Sequence, residues 1–92
     1  SETMQVYSHY GVFSNRLADF AKVKSVSRGD DLGWKIVLDQ GFTLQLGRRD
    51  ILGRLARARD ILIRIDKDLL RHLRKVDARY DNGIALAWGS EN

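Results

Sequence analysis

The feature that most constrains the fold is a pair of alternating segments between residues 34 and 47. Apolar and polar residues alternate over 34–39 and again over 42–47, and Gln40-Gly41 separates the two runs. A period of two places every second side chain on the same face of a strand, and a short glycine turn between two such runs is typical of a β-hairpin. The side chains predicted to face the core are Trp34, Ile36, Leu38, Phe42, Leu44 and Leu46. The segment therefore predicts antiparallel strands with one buried face.

Helical periodicity flanks this hairpin on both sides. The first segment predicts a helix over roughly residues 4–20. Its apolar face consists of Met4, Tyr7, Tyr10, Phe13, Leu17 and Phe20. The second segment follows Asp50, whose side chain can cap a helix start. Its apolar stripe, which falls within an arc of about 80° at 100° per residue, consists of Ile51, Leu55, Ala58, Leu62 and Ile65. Asp66 is expected to begin a further helical turn, after which Leu69, Leu70 and Leu73 return to the core.

A second hairpin is predicted at the end of the chain, with strands over 75–80 and 84–88. Its turn is Asp81-Asn82-Gly83, and Asn-Gly favours a tight turn because both residues tolerate a positive φ. Residues 22–28 predict one more short strand. The order of elements predicts an α+β domain: an antiparallel sheet of two hairpins plus an extra strand, with helices packed on one face. We expect residues 1–92 to form a single domain.

The net charge of +4 is unevenly distributed along the chain. Residues 48–79 contain eleven Lys or Arg and five Asp or Glu, which gives this segment a charge of +6. Two interpretations are open. The arginine-rich helix 50–65 could be a solvated face, or it could lie along phosphates in a small basic nucleic-acid-binding domain. The segment lacks the exposed aromatics that usually accompany nucleic-acid surfaces, which favours the solvated face and a protein without a nucleic-acid partner.

The chain offers little catalytic chemistry. It has no cysteine, which excludes disulfides, thiolate zinc sites and thiol nucleophiles. His9 and His72 are its two histidines and lack metal-site spacing, while Asp30-Asp31 lies in a glycine-bounded turn. The segment LGRRD places Gly47 before a helix start without the spacing of a phosphate-binding loop. We therefore expect no catalytic residues, no metal and no cofactor, and a protein that is not an enzyme.

The last strand, Ile84 to Trp88, carries no charge and no proline. An edge strand is usually protected by Lys, Pro or a bulge, so a bare edge would suit the addition of a partner strand. A central strand buried on both faces would have the same composition. The pattern leaves these two interpretations equally open.

Two sequence segments, WKIVLDQGFTLQLGRRDILGRLARA and KVDARYDNGIALAW, together resemble the C-terminal β domain of the bacterial cell-division family FtsQ (DivIB in Gram-positive bacteria). The matching positions are Trp34, Gly41, Leu46-Gly47-Arg48, Arg54-Leu55, Arg57, Val76-Asp77, Arg79-Tyr80, Gly83, Ala85 and Trp88. Ala78 departs from the pattern, since leucine is common there.

The resemblance implies a non-enzymatic scaffold that recruits FtsB-like and FtsL-like proteins into the divisome for septum formation. It implies that the last strand accepts a strand from the FtsB-like partner. The residues expected to bind this partner are Arg79, Tyr80, Asn82, Gly83, Ile84, Ala85, Leu86, Ala87 and Trp88. Arg79 would pair with an acidic residue, Tyr80 and Trp88 would supply aromatic contacts, and 84–87 would supply main-chain hydrogen bonds.

The resemblance also implies a location. Members of the family are single-pass inner-membrane proteins whose POTRA and β domains lie in the periplasm. We expect this chain to be the β domain alone, with the transmembrane segment and POTRA domain absent from it, so that it meets the membrane only through an upstream segment.

Overall fold

A computed structural model describes the backbone of residues 2–89 and the side chains of residues 8–89. Eight elements follow one another along the chain. In order they are α1 (Glu2–Leu17), β1 (Val23–Gly29), β2 (Gly33–Leu38), β3 (Thr43–Gly47), α2 (Ile51–Leu62), α3 (Lys67–Leu70), β4 (Leu73–Asp77) and β5 (Ala85–Trp88). The predicted alternation of helices, strands and hairpins is confirmed, and β1 to β3 follow one another as antiparallel neighbours.

The strands form one five-stranded sheet in the order β1-β2-β3-β4-β5. The α+β prediction is confirmed, with one refinement: β3 and β4 pair in parallel, Leu44 opposite Val76, so the sheet is not antiparallel throughout. The reason is the connection, since α2 and α3 carry the chain back to the starting end of the sheet before β4 begins. A helical crossover of this kind joins parallel strands, whereas a tight turn joins antiparallel ones.

One buried cluster fills the space between the sheet and the helices. All six residues predicted to face the core from β2, the following turn and β3 are buried. They meet Phe13 and Leu17 from α1 and three side chains of the α2 stripe, namely Leu55, Ala58 and Leu62. Both long helices therefore cover the same face of the sheet, and an Arg59–Asp19 ion pair links α2 to the end of α1.

The prediction is wrong for Leu69, which is exposed, whereas Leu70 and Leu73 are buried. Because α3 makes only a single turn, Leu70 fills the core position and Leu69 points to solvent. The first helix ends at Leu17 rather than near residue 20, and the carbonyl of Leu17 accepts hydrogen bonds from the amides of Phe20 and Ala21. The predicted contacts of Met4 and Tyr7 lie outside the described side chains.

The two predicted helix caps differ. Asp66 caps α3 as expected, and its carboxylate accepts a hydrogen bond from the amide of Asp68 at 2.7 Å. Asp50 occupies the cap position of α2, but its backbone is left-handed (φ 48°, ψ 46°) and its side chain makes no capping hydrogen bond. The expectation of a side-chain cap at Asp50 is wrong because the sharp turn out of β3 sets its backbone conformation.

Candidate functional site

The last strand, β5, lies at an edge of the sheet. It pairs with β4 on one side, Val76 opposite Leu86, and no described strand pairs with its other side. The amide of Gly89 donates to the carbonyl of His72 at 2.6 Å, so residue 89 faces β4. Because main-chain groups alternate in direction along a strand, those of Leu86 and Trp88 point away from β4. Of the two interpretations left open by the sequence, the edge strand is confirmed.

The side chains of β5 are small or only half covered. Ala85 and Ala87 are exposed, and Ile84 and Leu86 are half-buried where they pack against the core. Two large aromatic side chains flank this strip: Tyr80, 53% exposed in the loop before β5, and Trp88, 47% exposed at its end. The edge therefore offers unpaired main-chain groups between two exposed rings.

The opposite edge of the same sheet is protected. Strand β1 carries Lys24 and Arg28, both exposed, and its pairing with β2 shifts register between Val23 and Ser25. Charged side chains and bulges are the usual means by which an edge strand avoids pairing with another chain. The β1 edge is therefore protected against an added strand by charge and a bulge, whereas the β5 edge carries no charge.

At the start of the loop before β5, Asp77 and Arg79 form a fork-shaped ion pair. The guanidinium donates from Nε to Oδ1 at 2.8 Å and from Nη2 to Oδ2 at 2.6 Å, and the amide of Arg79 also donates to Oδ1 at 3.1 Å. The hydrogen bonds from the Arg79 side chain hold the pKa of Asp77 below its ordinary value, although burial of the carboxylate opposes them. In this chain the guanidinium predicted to meet a partner's acid is already engaged with Asp77.

The predicted tight Asn-Gly turn is wrong. The connection between β4 and β5 spans residues 78–84, and neither Asn82 nor Gly83 has a positive φ. Beyond Asp77 the amide of Ala78 still donates to the carbonyl of Gln45 on β3, at 2.8 Å, while the pairing with β5 ends at Asp77 opposite Ala85. The result is a wide loop, and we call residues 78–84 the β4–β5 loop.

The solvated-face interpretation of the α2 arginines is wrong for two of them. Arg57 donates from Nη1 to the carbonyl of Tyr80 at 2.9 Å. Arg54 is 12% exposed, donates to the carbonyl of Leu46 at 3.0 Å and lies 3.6 Å from the carboxylate of Asp81. Arg57 therefore binds the β4–β5 loop, and Arg54 binds both the end of β3 and that loop. Arg64, by contrast, is 74% exposed and pairs with Asp60 one turn earlier, as a solvated side chain would.

Gly47 allows Arg54 and Arg79 to approach the end of β3. Its φ is +78°, and a Cβ added there would lie 2.7 Å from Nη1 of Arg54 and 3.2 Å from Cγ of Arg79. A cavity of about 560 Å³ lies beside this point. Its lining consists of Asp31, Leu32, Gly47, Arg48, Arg49, Asp50, Arg54, Arg57, Arg79 and Asp81. Residues 46–50 (LGRRD) therefore lie at the end of β3 and beside the β4–β5 loop.

The other singled-out residues are not brought together into a site. His9 stacks on Trp34 with ring centroids 4.0 Å apart, on the α1 side of the sheet. The carbonyl of His72 lies at the start of β4, where it accepts from Gly89. Asp30 and Asp31 are exposed in the β1–β2 turn. Among the side chains of residues 8–89, no three of His, Asp or Glu are grouped as a metal ion would require.

Sequence reasoning missed the part played by Arg54 and Arg57. The available clue was the angular position of Arg54, which borders the apolar stripe of α2 and so points toward the sheet. No comparable clue existed for Arg57.

Comparison with known proteins identifies the relatives of this fold. The sequence model of the family described as cell division protein FtsQ/DivIB, C-terminal, matches residues 1–79. This chain belongs to the FtsQ/DivIB family. Three proteins named cell division protein FtsQ are similar to it. The protein from Aliivibrio fischeri is 35% identical over 72 residues, that from Shewanella oneidensis 39% over 59, and that from Vibrio cholerae 30% over 69.

These matches cover unequal shares of the chains compared. They span 76%, 61% and 75% of this chain, in the same order, but 27%, 21% and 26% of the relatives. The chain therefore corresponds to about a quarter of the length of the curated relatives that it matches. The family match also ends at Arg79, so the edge position of β5 is known from the structure of this chain alone.

No helix among residues 2–89 combines the length and hydropathy that crossing a membrane requires. The description of the matched family and the names of the three relatives refer to cell division.

Proposed function

We propose that this domain is a non-enzymatic scaffold of the division machinery that captures a strand of an FtsB-like protein along β5. The observation that carries the proposal is the contrast between the two sheet edges. The β5 edge is uncharged and lies between Tyr80 and Trp88, whereas the β1 edge carries Lys24 and Arg28. An added strand would gain main-chain hydrogen bonds from the first edge and would be disfavoured at the second.

The partner-binding residues in this proposal are the ones that the family resemblance assigns. The unpaired main-chain groups of Leu86 and Trp88 bond the added strand, while Ala85 and Ala87 leave room for its side chains. Tyr80 and Trp88 provide the large aromatic contacts that usually dominate binding energy. Asn82 and Gly83 shape the loop at which the partner strand enters.

The wider setting of the proposal follows from the family. The whole protein is anchored in the bacterial inner membrane by an upstream segment and holds this domain in the periplasm, preceded by a POTRA domain. FtsL-like proteins join through the FtsB-like partner, and septum formation follows. Arg54 and Arg57 bind the β4–β5 loop and Arg59 pairs with Asp19, which argues against a basic surface for nucleic acid.

The direct test is binding of a soluble peptide from the extracytoplasmic part of an FtsB-like protein. We expect Tyr80→Ala to weaken binding by about 30-fold, the size of an interface hot spot. Leu69→Ala is the matched control, because Leu69 is equally exposed but lies on α3. Equal binding by the Tyr80→Ala variant and the wild type would contradict the proposal.

Amide hydrogen exchange tests the geometry of the complex. On addition of the peptide, the amides of Leu86 and Trp88 should become protected because they acquire acceptors, while the amides of β1 should keep their exchange rates. Protection on β1, or on neither edge, would show that strand addition at β5 is the wrong mode.

A further inference from the structure

The β4–β5 loop is held in place from outside. Residues 80–83 form no helix or strand, and among the described residues a single hydrogen bond reaches their main chain, the one from Arg57 to the carbonyl of Tyr80. The other bonds lie at the base of the loop, from Ala78 to Gln45 and from Arg79 to Asp77. The part of the loop that displays Tyr80 therefore depends on α2 for its order.

We propose that Arg57, supported by Arg54, is a positioning residue that fixes the β4–β5 loop before a partner arrives. The inference rests on the proposed function, because an ordered loop aids binding only if Tyr80 and β5 contact a partner strand. Arg57 and Arg54 act through the loop, and neither needs to touch the partner.

The chemistry of arginine suits this task. The Arg57 guanidinium is planar and permanently charged, and a hydrogen bond from an ionised donor to a carbonyl is stronger than a neutral one. Arg54 adds a second point of attachment, since its guanidinium is mostly buried against Leu46 and faces Asp81. Asp81 is 97% exposed, so solvent weakens this ion pair, and the Arg57 bond to the carbonyl of Tyr80 is exposed as well.

A loop that is ordered only part of the time reduces the apparent affinity by the fraction of molecules that are ready to bind. If loss of the Arg57 bond leaves between a tenth and a third of the loops in the binding arrangement, the apparent Kd rises by about three- to tenfold. The loss should appear in the association rate, because the contacts in the finished complex are unchanged. A residue that contacts the partner directly changes mainly the dissociation rate.

The first arm of the test needs no partner. Backbone ¹⁵N relaxation should give order parameters of about 0.8 for residues 80–83 in the wild type and of about 0.6 or less in Arg57→Ala. Arg64→Ala is the control, because Arg64 lies just after α2, is 74% exposed and pairs with Asp60 rather than with the loop. If Arg57→Ala does not fold, Asp81→Ala loosens the same loop from its exposed side and should lower the same order parameters by less.

The second arm measures association and dissociation rates with the FtsB-like peptide. The expected result for Arg57→Ala is slower association with an unchanged dissociation rate and an unchanged melting temperature of the core. Unchanged order parameters overturn the inference whatever the binding result. A wild type that does not bind the peptide overturns the proposed function, while the relaxation arm still decides whether Arg57 orders the loop. Faster dissociation would make Arg57 a contact residue and would also overturn the inference.

Discussion

The ion pair between Asp77 and Arg79 allows a quantitative prediction. Its two parallel hydrogen bonds, at 2.8 and 2.6 Å, join a carboxylate side chain that is 10% exposed to a guanidinium side chain that is 36% exposed. The perturbation is a double-mutant cycle with Asp77→Ala, Arg79→Ala and the double variant. The cycle isolates the energy of the pair from the separate effects of each truncation.

The magnitude follows from the degree of burial. Exposed ion pairs contribute about 0–1 kcal/mol, and removing one partner of a fully buried pair costs about 3–5 kcal/mol. This pair is half solvated on the arginine side, so we expect a coupling energy of about 1.5 kcal/mol. We also expect Asp77→Ala to lower the free energy of unfolding by about 2 kcal/mol, which corresponds to a fall in Tm of about 10 °C for a domain of this size.

The dependence on pH has a definite sign. The pKa of Asp77 is lowered below its ordinary value of 3.8, chiefly by the side-chain hydrogen bonds from Arg79. A carboxylate whose pKa is lowered by folding stabilises the native state fully above its unfolded pKa, and this contribution is lost as the pH falls through the folded pKa. The stability difference between wild type and Asp77→Ala should therefore be constant from pH 7 to 5 and should shrink below pH 4. In Arg79→Ala the pKa of Asp77 should rise, because the largest cause of its lowering is removed.

Urea unfolding at several pH values measures the free energies, and a ¹³C titration of the carboxyl group follows the pKa of Asp77. A coupling energy below about 0.5 kcal/mol would place the pair among ordinary surface pairs and refute the burial argument. A stability difference that stays the same at pH 3 and pH 6 would refute the assigned role of the carboxylate.

Three further predictions concern backbone conformation and helix capping. Gly47→Ala should lower the free energy of unfolding by about 2 kcal/mol, because the new Cβ meets Arg54 at a positive φ; thermal melting measures this, and Gly29→Ala, with open space around it, should change little. Asp66→Ala should lower the free energy of unfolding by about 1 kcal/mol, because α3 loses its cap. Asp50→Gly should raise the free energy of unfolding in urea by about 0.5–1 kcal/mol, because glycine adopts the left-handed conformation without strain. Destabilisation by Asp50→Gly would contradict the strain assigned to Asp50. Equal effects of Gly47→Ala and Gly29→Ala would contradict the close approach assigned to Gly47.

Local periodicity predicted most of the fold correctly. The alternation from Trp34 to Leu46 yielded the hairpin and its buried face, and the spacing from Leu55 to Leu62 yielded the side of α2 that meets the sheet. Such patterns are readable because they repeat within a few residues. They could not reveal the parallel pairing of β3 with β4, since that depends on where the crossover returns the chain.

The partner-binding role of the candidate site stays a prediction, whereas the structure decides where its strand lies and how its loop is folded. The sequence identified the segment from Arg79 to Trp88, and it left open whether the last strand was central or at an edge. The expected Asn82-Gly83 turn is absent, and in the wider loop that replaces it Arg57 donates to the carbonyl of Tyr80 while Arg54 faces Asp81. A turn propensity describes an isolated segment and contains no information about those contacts.

The arginines of α2 show where sequence stops and tertiary structure begins. On a helical projection Arg57 and Arg64 lie only about 20° apart, so the sequence by itself determined that both lie well outside the apolar stripe and face the same way. Tertiary structure alone decided that Arg57 reaches the carbonyl of Tyr80 while Arg64 stays in solvent. The physical reason is position along the axis: Arg57 lies level with the loop that returns from β4, whereas Arg64 lies beyond the end of the helix at Leu62, where its guanidinium pairs with Asp60.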